Sequence, residues 1–247
     1  MRTDSYDVIV IGGGVLGCFA ARSLTRLGLK TALLEKREDL CTGISRANTA
    51  IVYSGCDMKP GTLKMSMCVR AAQDFPALCA ELGVRYSQCG SIMVCFGERG
   101  DQVLRRKLRD GTENGVHGVR LLTREEVLEL EPNISDDVYS GLYVPDTGTV
   151  MPWELGIAAA ENAANNGAEF FFCTEVLEIC AAGDAGRCNA QFTTHRAQCT
   201  MHNAQLGDEG SAGLSEVGGG YLVRTNKGVF YTKAIVNCAG LAADRVY

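Results

Sequence analysis

Residues 6–36 read YDVIVIGGGVLGCFAARSLTRLGLKTALLEK, and this stretch decides the fold. Val8, Ile9, Val10 and Ile11 form an unbroken apolar run, as in a parallel strand buried on both faces. Gly12, Gly14 and Gly17 follow in G-x-G-x-x-G spacing. Such glycines permit, in turn, a tight bend, close approach of backbone to a phosphate, and close packing of helix on strand. Val15, Leu16, Phe19, Ala20, Leu24 and Leu27 then recur at helical spacing, and Gly28 stands where a helix ends. A second apolar strand, residues 31–34, runs into Glu35. The start of the helix offers free N–H groups and partial positive charge to a pyrophosphate. The acid beyond the second strand can accept both ribose hydroxyls and repels a 2′-phosphate. Strand, glycines, helix, strand and acid in this order predict a dinucleotide site. The unit alone does not choose between FAD and NAD.

The remaining composition narrows the class. The chain has 247 residues, 46% hydrophobic and 21% charged, with a formal net charge of −5. This is ordinary for a globular protein and large enough for one big domain or two small ones. The acidic balance argues against a broad nucleic-acid-binding surface. Glycines interrupt the longest apolar stretch, so no transmembrane segment is expected. The chain enters a strand directly at its N-terminus, and a cytoplasmic location is expected. The 12 cysteines include no C-x-x-C pair and read as reduced, mostly buried thiols. Cys188, His195, Cys199 and His202 lie close together in a polar excursion, residues 181–220. Their spacing matches no zinc pattern, and no metal is assigned.

Along the chain, residues 41–55 read as a long functional loop. Residues 62–82 have helical periodicity, with Pro76 predicting a kink or two helices. Residues 86–96 read as one strand containing Gly90, and 101–114 as an amphipathic helix. Thr123 and Glu126 frame a capping box for a helix that Pro132 ends. Pro152 opens another helix ending near Gly167. Residues 170–179 read as a strand, 221–231 as a hairpin around Asn226 and Lys227, and 234–238 as a last buried strand. The expected architecture is α/β, a Rossmann-like dinucleotide domain with an inserted α+β substrate lobe. Residues 1–82 and 151–247 are assigned to the first, residues 83–150 to the second.

Several segments together carry a resemblance. The opening βαβ unit, Glu35-Lys36 and AIVNCAGLAAD (residues 234–244) resemble the D-amino-acid-oxidase-type FAD-dependent oxidoreductases. Residues 47–55 (ANTAIVYSG), 59–68 (KPGTLKMSMC), 90–96 (GSIMVCF) and 147–155 (TGTVMPWEL) resemble two branches of that family. One oxidises L-2-hydroxyglutarate, and the other is often labelled glycerol-3-phosphate dehydrogenase. The resemblance implies FAD as cofactor. Gly12, Gly14, Val15, Leu16, Gly17, Glu35 and Lys36 would hold its ADP half. Ser45, Ala47 and Asn48 would run beside pyrophosphate and flavin. The strand through Thr174 and Val176 would meet adenine through its backbone, and Ala239-Gly240 would close over the phosphates. The implied reaction is hydride transfer from a small hydroxy acid or polyol phosphate to flavin N5. The electron acceptor is left open.

Two departures qualify this. Relatives often have a histidine where this chain has Tyr53, and a tyrosine with a pKa near ~10 is a poor base at neutral pH. The catalytic base is therefore unassigned, with Tyr53 the residue in that register. Arg46 and Lys64 could meet a substrate carboxylate or phosphate, although solvated surface charge is the commoner role. Members of the family also continue well past the N-C-A-G turn, whereas this chain stops at Tyr247. The expectation is a truncated copy or N-terminal piece with weak or no turnover by itself. The alternatives are a non-catalytic dinucleotide-binding module and a nicotinamide-dependent dehydrogenase, the latter disfavoured by the N-C-A-G segment.

Overall fold

Strand β1 (Asp4–Ile11) runs through the middle of a six-stranded sheet. A computed structural model describes residues 4–182 and 219–246 of the chain. The cysteine and histidine cluster at 188–202 lies outside these described residues. β1 pairs in parallel with β2 (Thr31–Leu34) on one side and β12 (Gly228–Asn237) on the other. Beyond β2 lies β9 (Glu169–Phe171), also parallel. Beyond β12 come β11 (Tyr221–Thr225) and β10 (Val176–Ala181), both antiparallel to their neighbours. The sheet order is β10-β11-β12-β1-β2-β9. Ile9 and Val10 are fully buried and so is every residue of β2, as the continuous apolar runs required. Tyr6, Ile9, Ile11, Leu34, Val223 and Phe230 form one core cluster of this sheet.

Helix α1 (Val15–Arg26) packs on the sheet by its small residues rather than its large ones. Its buried positions are Gly17, Cys18, Ala21, Arg22 and Thr25, while Leu16 and Leu27 are 73% and 76% exposed. The face marked out by large apolar residues is thus not the one that packs. Contact is too close for them: a Cβ on Gly17 would run into Gly12 O. On another flank, Arg22 Nε donates to Asn162 Oδ1 (3.2 Å) of helix α5 (Pro152–Asn165).

The chain divides into two units, Met1–Ala47 with Gly156–Tyr247 and Asn48–Leu155. Residues 48–82, expected with the first unit, group with the second. The reason is packing: Cys56 and Val69 belong to the cluster of Cys95, Leu104, Leu142 and Val144. That second unit holds two three-stranded antiparallel sheets. One has order β3 (Ile51–Val52), β8 (Gly148–Val150), β4 (Tyr86–Ser87). The other has order β5 (Ser91–Cys95), β7 (Ser140–Val144), β6 (Arg120–Leu122). Helices α2 (Leu63–Leu82), α3 (Glu98–Glu113) and α4 (Arg124–Leu130) complete it.

Several local expectations change. Pro76 does not split α2, which runs as one helix of 20 residues from a Thr62 cap to Gly83 at φ 67°. Its ring removes one N–H bond near the middle, and the remaining turns carry the helix through. Residues 86–96 form two strands in different sheets, because Gly90 turns the chain at φ +70°. The segment 170–179 likewise divides into β9 and β10, with Cys173 at φ 50° between them. Conversely, residues 228–237 form one strand: its first half pairs with β11, and nearly its whole length pairs with β1. The expected loop at 41–55 contains a 3-10 turn, Ile44–Arg46, and strand β3. The Thr123 capping box is present on both sides, Thr123 Oγ1 accepting from Glu126 N and Glu126 Oε2 from Thr123 N. Among the described residues, no helix is long and apolar enough to cross a membrane. Cys18, Cys41, Cys56, Cys79 and Cys95 are buried free thiols. Cys180 is disulfide-bonded, against the expectation of a fully reduced set.

Candidate dinucleotide site

The site lies in the first unit, where β1, β2 and β12 end at neighbouring turns, the usual ligand position in an open parallel sheet. Ile11 is level with Leu34 on β2 and Asn237 on β12. Gly12 N donates to Leu34 O (2.8 Å) and Cys238 N to Ile11 O (2.8 Å), tying the three turns together. Gly12 has φ +103°, and a Cβ there would sit 2.5 Å from Cys238 O. Both facts demand glycine. Gly14 caps α1 in extended conformation and has no side chain to offer the helix. The amides of a helix's first turn have no partner inside the helix. Here Cys18 N makes the first such bond, to Gly14 O (3.0 Å). No acidic residue occupies that turn, so its positive end is not neutralised locally.

Ser45 reaches this turn from the following loop, and its Oγ accepts from Val15 N at 3.0 Å. A Cβ on Gly14 would meet the same Oγ at 3.2 Å. Ser45 therefore stands directly at the helix start. Ala47 closes the 3-10 turn behind it, donating its N–H to Ile44 O (3.0 Å). Asn48 is the first residue of the second unit, and its Oδ1 accepts from Ala50 N (2.8 Å).

Glu35 is brought to the glycine turn, but with a bond the spacing did not reveal. Its Oε2 accepts from Gly13 N at 2.6 Å and its Oε1 from Arg37 N at 2.8 Å. The carboxylate thus braces the turn. A carboxylate has about four lone-pair sites, so each oxygen keeps acceptor capacity for a sugar hydroxyl. Gly13 is absent from the motif reading; a Cβ there would lie 2.6 Å from Leu40 Cδ2 and 3.1 Å from Glu35 Oε2, so both side chains would have to shift.

Beyond Glu35, the backbone of residues 35–37 is bonded to the β9–β10 connection. Thr174 N donates to Glu35 O and Cys173 N to Arg37 O, each at 2.8 Å. Val176, two residues on, begins β10 and packs its side chain on the sheet core. An open polar cleft of about 490 Å³ adjoins, lined by Lys36, Arg37, Glu38, Thr42, Arg46 and Cys173. Lys36 and Arg46, both named from sequence, meet there. Arg37, Thr42 and Cys173 were missed, since nothing in their spacing marks them.

On the opposite side of the glycine turn, β12 ends at Asn237, whose Oδ1 accepts from Ala239 N (3.1 Å) and whose Nδ2 donates to Ala243 O (2.8 Å). This folds Ala239 and Gly240 back, with Gly240 at φ +60°. Tyr53 and Lys64 belong to the second unit and are exposed, Tyr53 by 51%.

A dinucleotide fits this cradle: glycines line the turn, and beyond Val15, whose N–H is taken by Ser45, the first-turn amides of α1 have no partner inside the helix. The family described as FAD dependent oxidoreductase matches residues 7–247, and the chain belongs to it. Within it, the chain is 36% identical over 241 residues to a glycerol 3-phosphate dehydrogenase of Caloramator mitchellensis, covering 98% of this chain and 43% of that protein. It is 28% identical to an L-2-hydroxyglutarate dehydrogenase of Escherichia coli O17:K52:H18, covering 98% and 49%. Its fold matches a dithionite-reduced L-alpha-glycerophosphate oxidase from Mycoplasma pneumoniae, solved with FAD bound. There the TM-score is 0.79 and the identity 25%, over 98% of this chain and 56% of that one. The chain thus spans about half the length of the relatives it matches. FAD is the cofactor this family and site indicate.

Proposed function

We propose that the protein is the FAD-binding part of a dehydrogenase or oxidase acting on a small hydroxy acid or polyol phosphate. Glycerol 3-phosphate and L-2-hydroxyglutarate are the two donor types. The observation that carries this is the pairing of the Gly12–Gly17 cradle with Glu35, in a chain 36% identical to a glycerol 3-phosphate dehydrogenase. In this reading the amides after Gly14 bind the pyrophosphate, and Ser45 fixes the start of α1 through Val15 N. Glu35 and Lys36 hold the adenosine ribose, and the backbone near Thr174 and Val176 meets adenine. Ala239 and Gly240 exclude water over the phosphates, while Ala47 and Asn48 line the path toward the flavin. When bound, FAD supplies the two-electron acceptor, its N5 taking hydride from the donor's C–H bond. Lys64 is a candidate cation for the donor's anionic group, while Arg46, which shares a cleft with Lys36, would serve the adenosine end. Tyr53 is offered as a ring near the reaction rather than as its base.

The test is anaerobic. The flavin-loaded chain, mixed separately with sn-glycerol 3-phosphate and L-2-hydroxyglutarate, should slowly lose its visible flavin absorbance with the true donor. Bound flavin that neither donor bleaches would support the non-catalytic module instead. A chain that binds no flavin would end both readings.

A further inference from the structure

The turn between β9 and β10 is held from two directions. On one side Glu35 O and Arg37 O accept from Thr174 N and Cys173 N. On the other stands the tip of the β11–β12 hairpin. Asn226 Nδ2 donates to Cys173 O at 3.0 Å, and Asn226 Oδ1 accepts from Glu175 N at 2.8 Å. The backbone N–H of Asn226 donates to Glu175 O at 3.1 Å. Glu175 is thus bonded through both its N–H and its C=O, with the Asn226 side-chain carbonyl standing in for the backbone carbonyl of a neighbouring strand. Lys227 adds a bond from Nζ to Phe172 O at 2.7 Å. The hairpin itself does not require this asparagine. Asparagine is favoured in two-residue hairpin turns where the turn residues take positive φ. Among the described residues the non-glycine positions with positive φ are Cys41, Ala50 and Cys173, so neither Asn226 nor Lys227 is one of them. The unusual backbone is instead that of Cys173, at φ 50°, whose C=O the Asn226 amide holds.

We propose that Asn226 is a positioning residue for the base end of the cofactor and sets its preference for adenine over other purines. It rests on the reading that the backbone near Thr174 and Val176 meets adenine. Adenine offers an amino donor beside a ring-nitrogen acceptor. Hypoxanthine offers a carbonyl acceptor beside a ring N–H donor. A backbone amide and carbonyl fixed in one order suit the first base and set like groups against the second. That order holds only while the turn keeps its shape, and Asn226 alone supplies three of the bonds that fix it. Thr174, between the two residues Asn226 grips, is 1% exposed and is pinned from the far side by Glu35 O. A shift of Cys173 or Glu175 therefore moves the backbone offered to the base, while the glycine turn that takes the diphosphate keeps its own bonds.

The experiment titrates the flavin-loaded full chain with ADP and, separately, with IDP, reading displaced flavin by its fluorescence. In the wild type ADP should displace flavin at a roughly tenfold lower concentration than IDP. Asn226→Asp keeps the acceptor for Glu175 N and turns the donor to Cys173 O into a second acceptor. In that variant the two nucleotides should act within about twofold of each other. The added charge acts on both nucleotides alike, so their ratio reads the base and not the phosphates. A variant that binds both more weakly but keeps the wild-type ratio would overturn the proposal, because Asn226 would then serve stability alone. If Asn226→Asp does not fold, Asn226→Ala carries the same comparison. A wild type displaced equally by both nucleotides, or by neither, would defeat the adenine reading itself and this inference with it, so the two failures are told apart.

Discussion

The two units are held together in different ways. The first is a sheet of continuous apolar strands whose turns approach so closely that only glycine fits, as at Gly12 and Gly17. The second has short antiparallel strands, β5 with four of its five residues only half-buried, and relies on polar side chains at its joints. Ser140 Oγ donates to Asp101 Oδ1 (2.7 Å), Arg105 Nε to Asp101 Oδ2 (2.7 Å), and Cys95 Sγ lies 3.1 Å from Ser140 Oγ. Because the Ser140 proton is committed to Asp101, Cys95 must be the donor to Ser140. The buried Asn114 Nδ2 similarly donates to Gly55 O (3.0 Å) and Met58 O (2.9 Å). A ligand-binding scaffold is thus set by backbone approach in one unit, and an inserted lobe by side-chain bonds in the other.

The sharpest way to break this contrast is at its closest approach. Gly12→Ala places a methyl on Cys238 O and forces an L residue to φ +103°. The expected cost is ~3 kcal/mol of stability, with bound flavin per chain falling more than tenfold after gel filtration. Full flavin retention in a folded variant would refute the cradle. The matching change in the second unit is smaller in effect and different in kind. Ser140→Ala takes a donor from the half-buried Asp101 and an acceptor from the buried Cys95 thiol, costing ~1 kcal/mol. Chemical denaturation should show the loss while flavin content stays unchanged. Equal flavin loss from both variants would mean that the units do not divide the labour as described.

The same contrast explains what could be read in advance. The βαβ unit was legible because each of its signals is local: apolar runs for β1 and β2, three glycines, one acid. The Thr123 box was legible for the same reason. The second partner of Glu35 was not, since Arg37 N becomes a donor only when the chain bends after β2. The packing face of α1 was misread because its large residues suggested contact, whereas proximity to the strand selected Gly17, Cys18 and Ala21. Splitting residues 86–96 and 170–179 into strands of separate partners depends on pairings more than fifty residues away, such as Tyr86 with Val150 and Phe171 with Leu34. No window along the sequence contains both members. The cleft at Arg37, Thr42 and Cys173 has the same origin, two distant segments meeting at the sheet's end.

The smallest effect sharpens the comparison from the middle of β1, away from the glycine turn. Asp7 accepts from Lys233 Nζ through Oδ1 (2.7 Å) and from Lys30 N through Oδ2 (2.9 Å), joining three adjacent strands or their approaches. The bond from Lys233 is the main cause that lowers Asp7 below its ordinary 3.8, and the same bond raises Lys233 above its ordinary 10.5. A lowered carboxylate contributes stability fully above its unfolded value and loses it as pH falls through the folded one. A raised ammonium contributes fully below its unfolded value and loses it as pH rises through the folded one. The pair therefore acts across the whole range between 3.8 and 10.5. Both groups face solvent, so salt screens the attraction. Asp7→Asn should lower Tm by about a degree at neutral pH and low ionic strength. The difference from wild type should shrink in molar salt and again below pH 3.8. A loss as large as that of Gly12→Ala would show that charge, rather than close backbone approach, holds the first unit together.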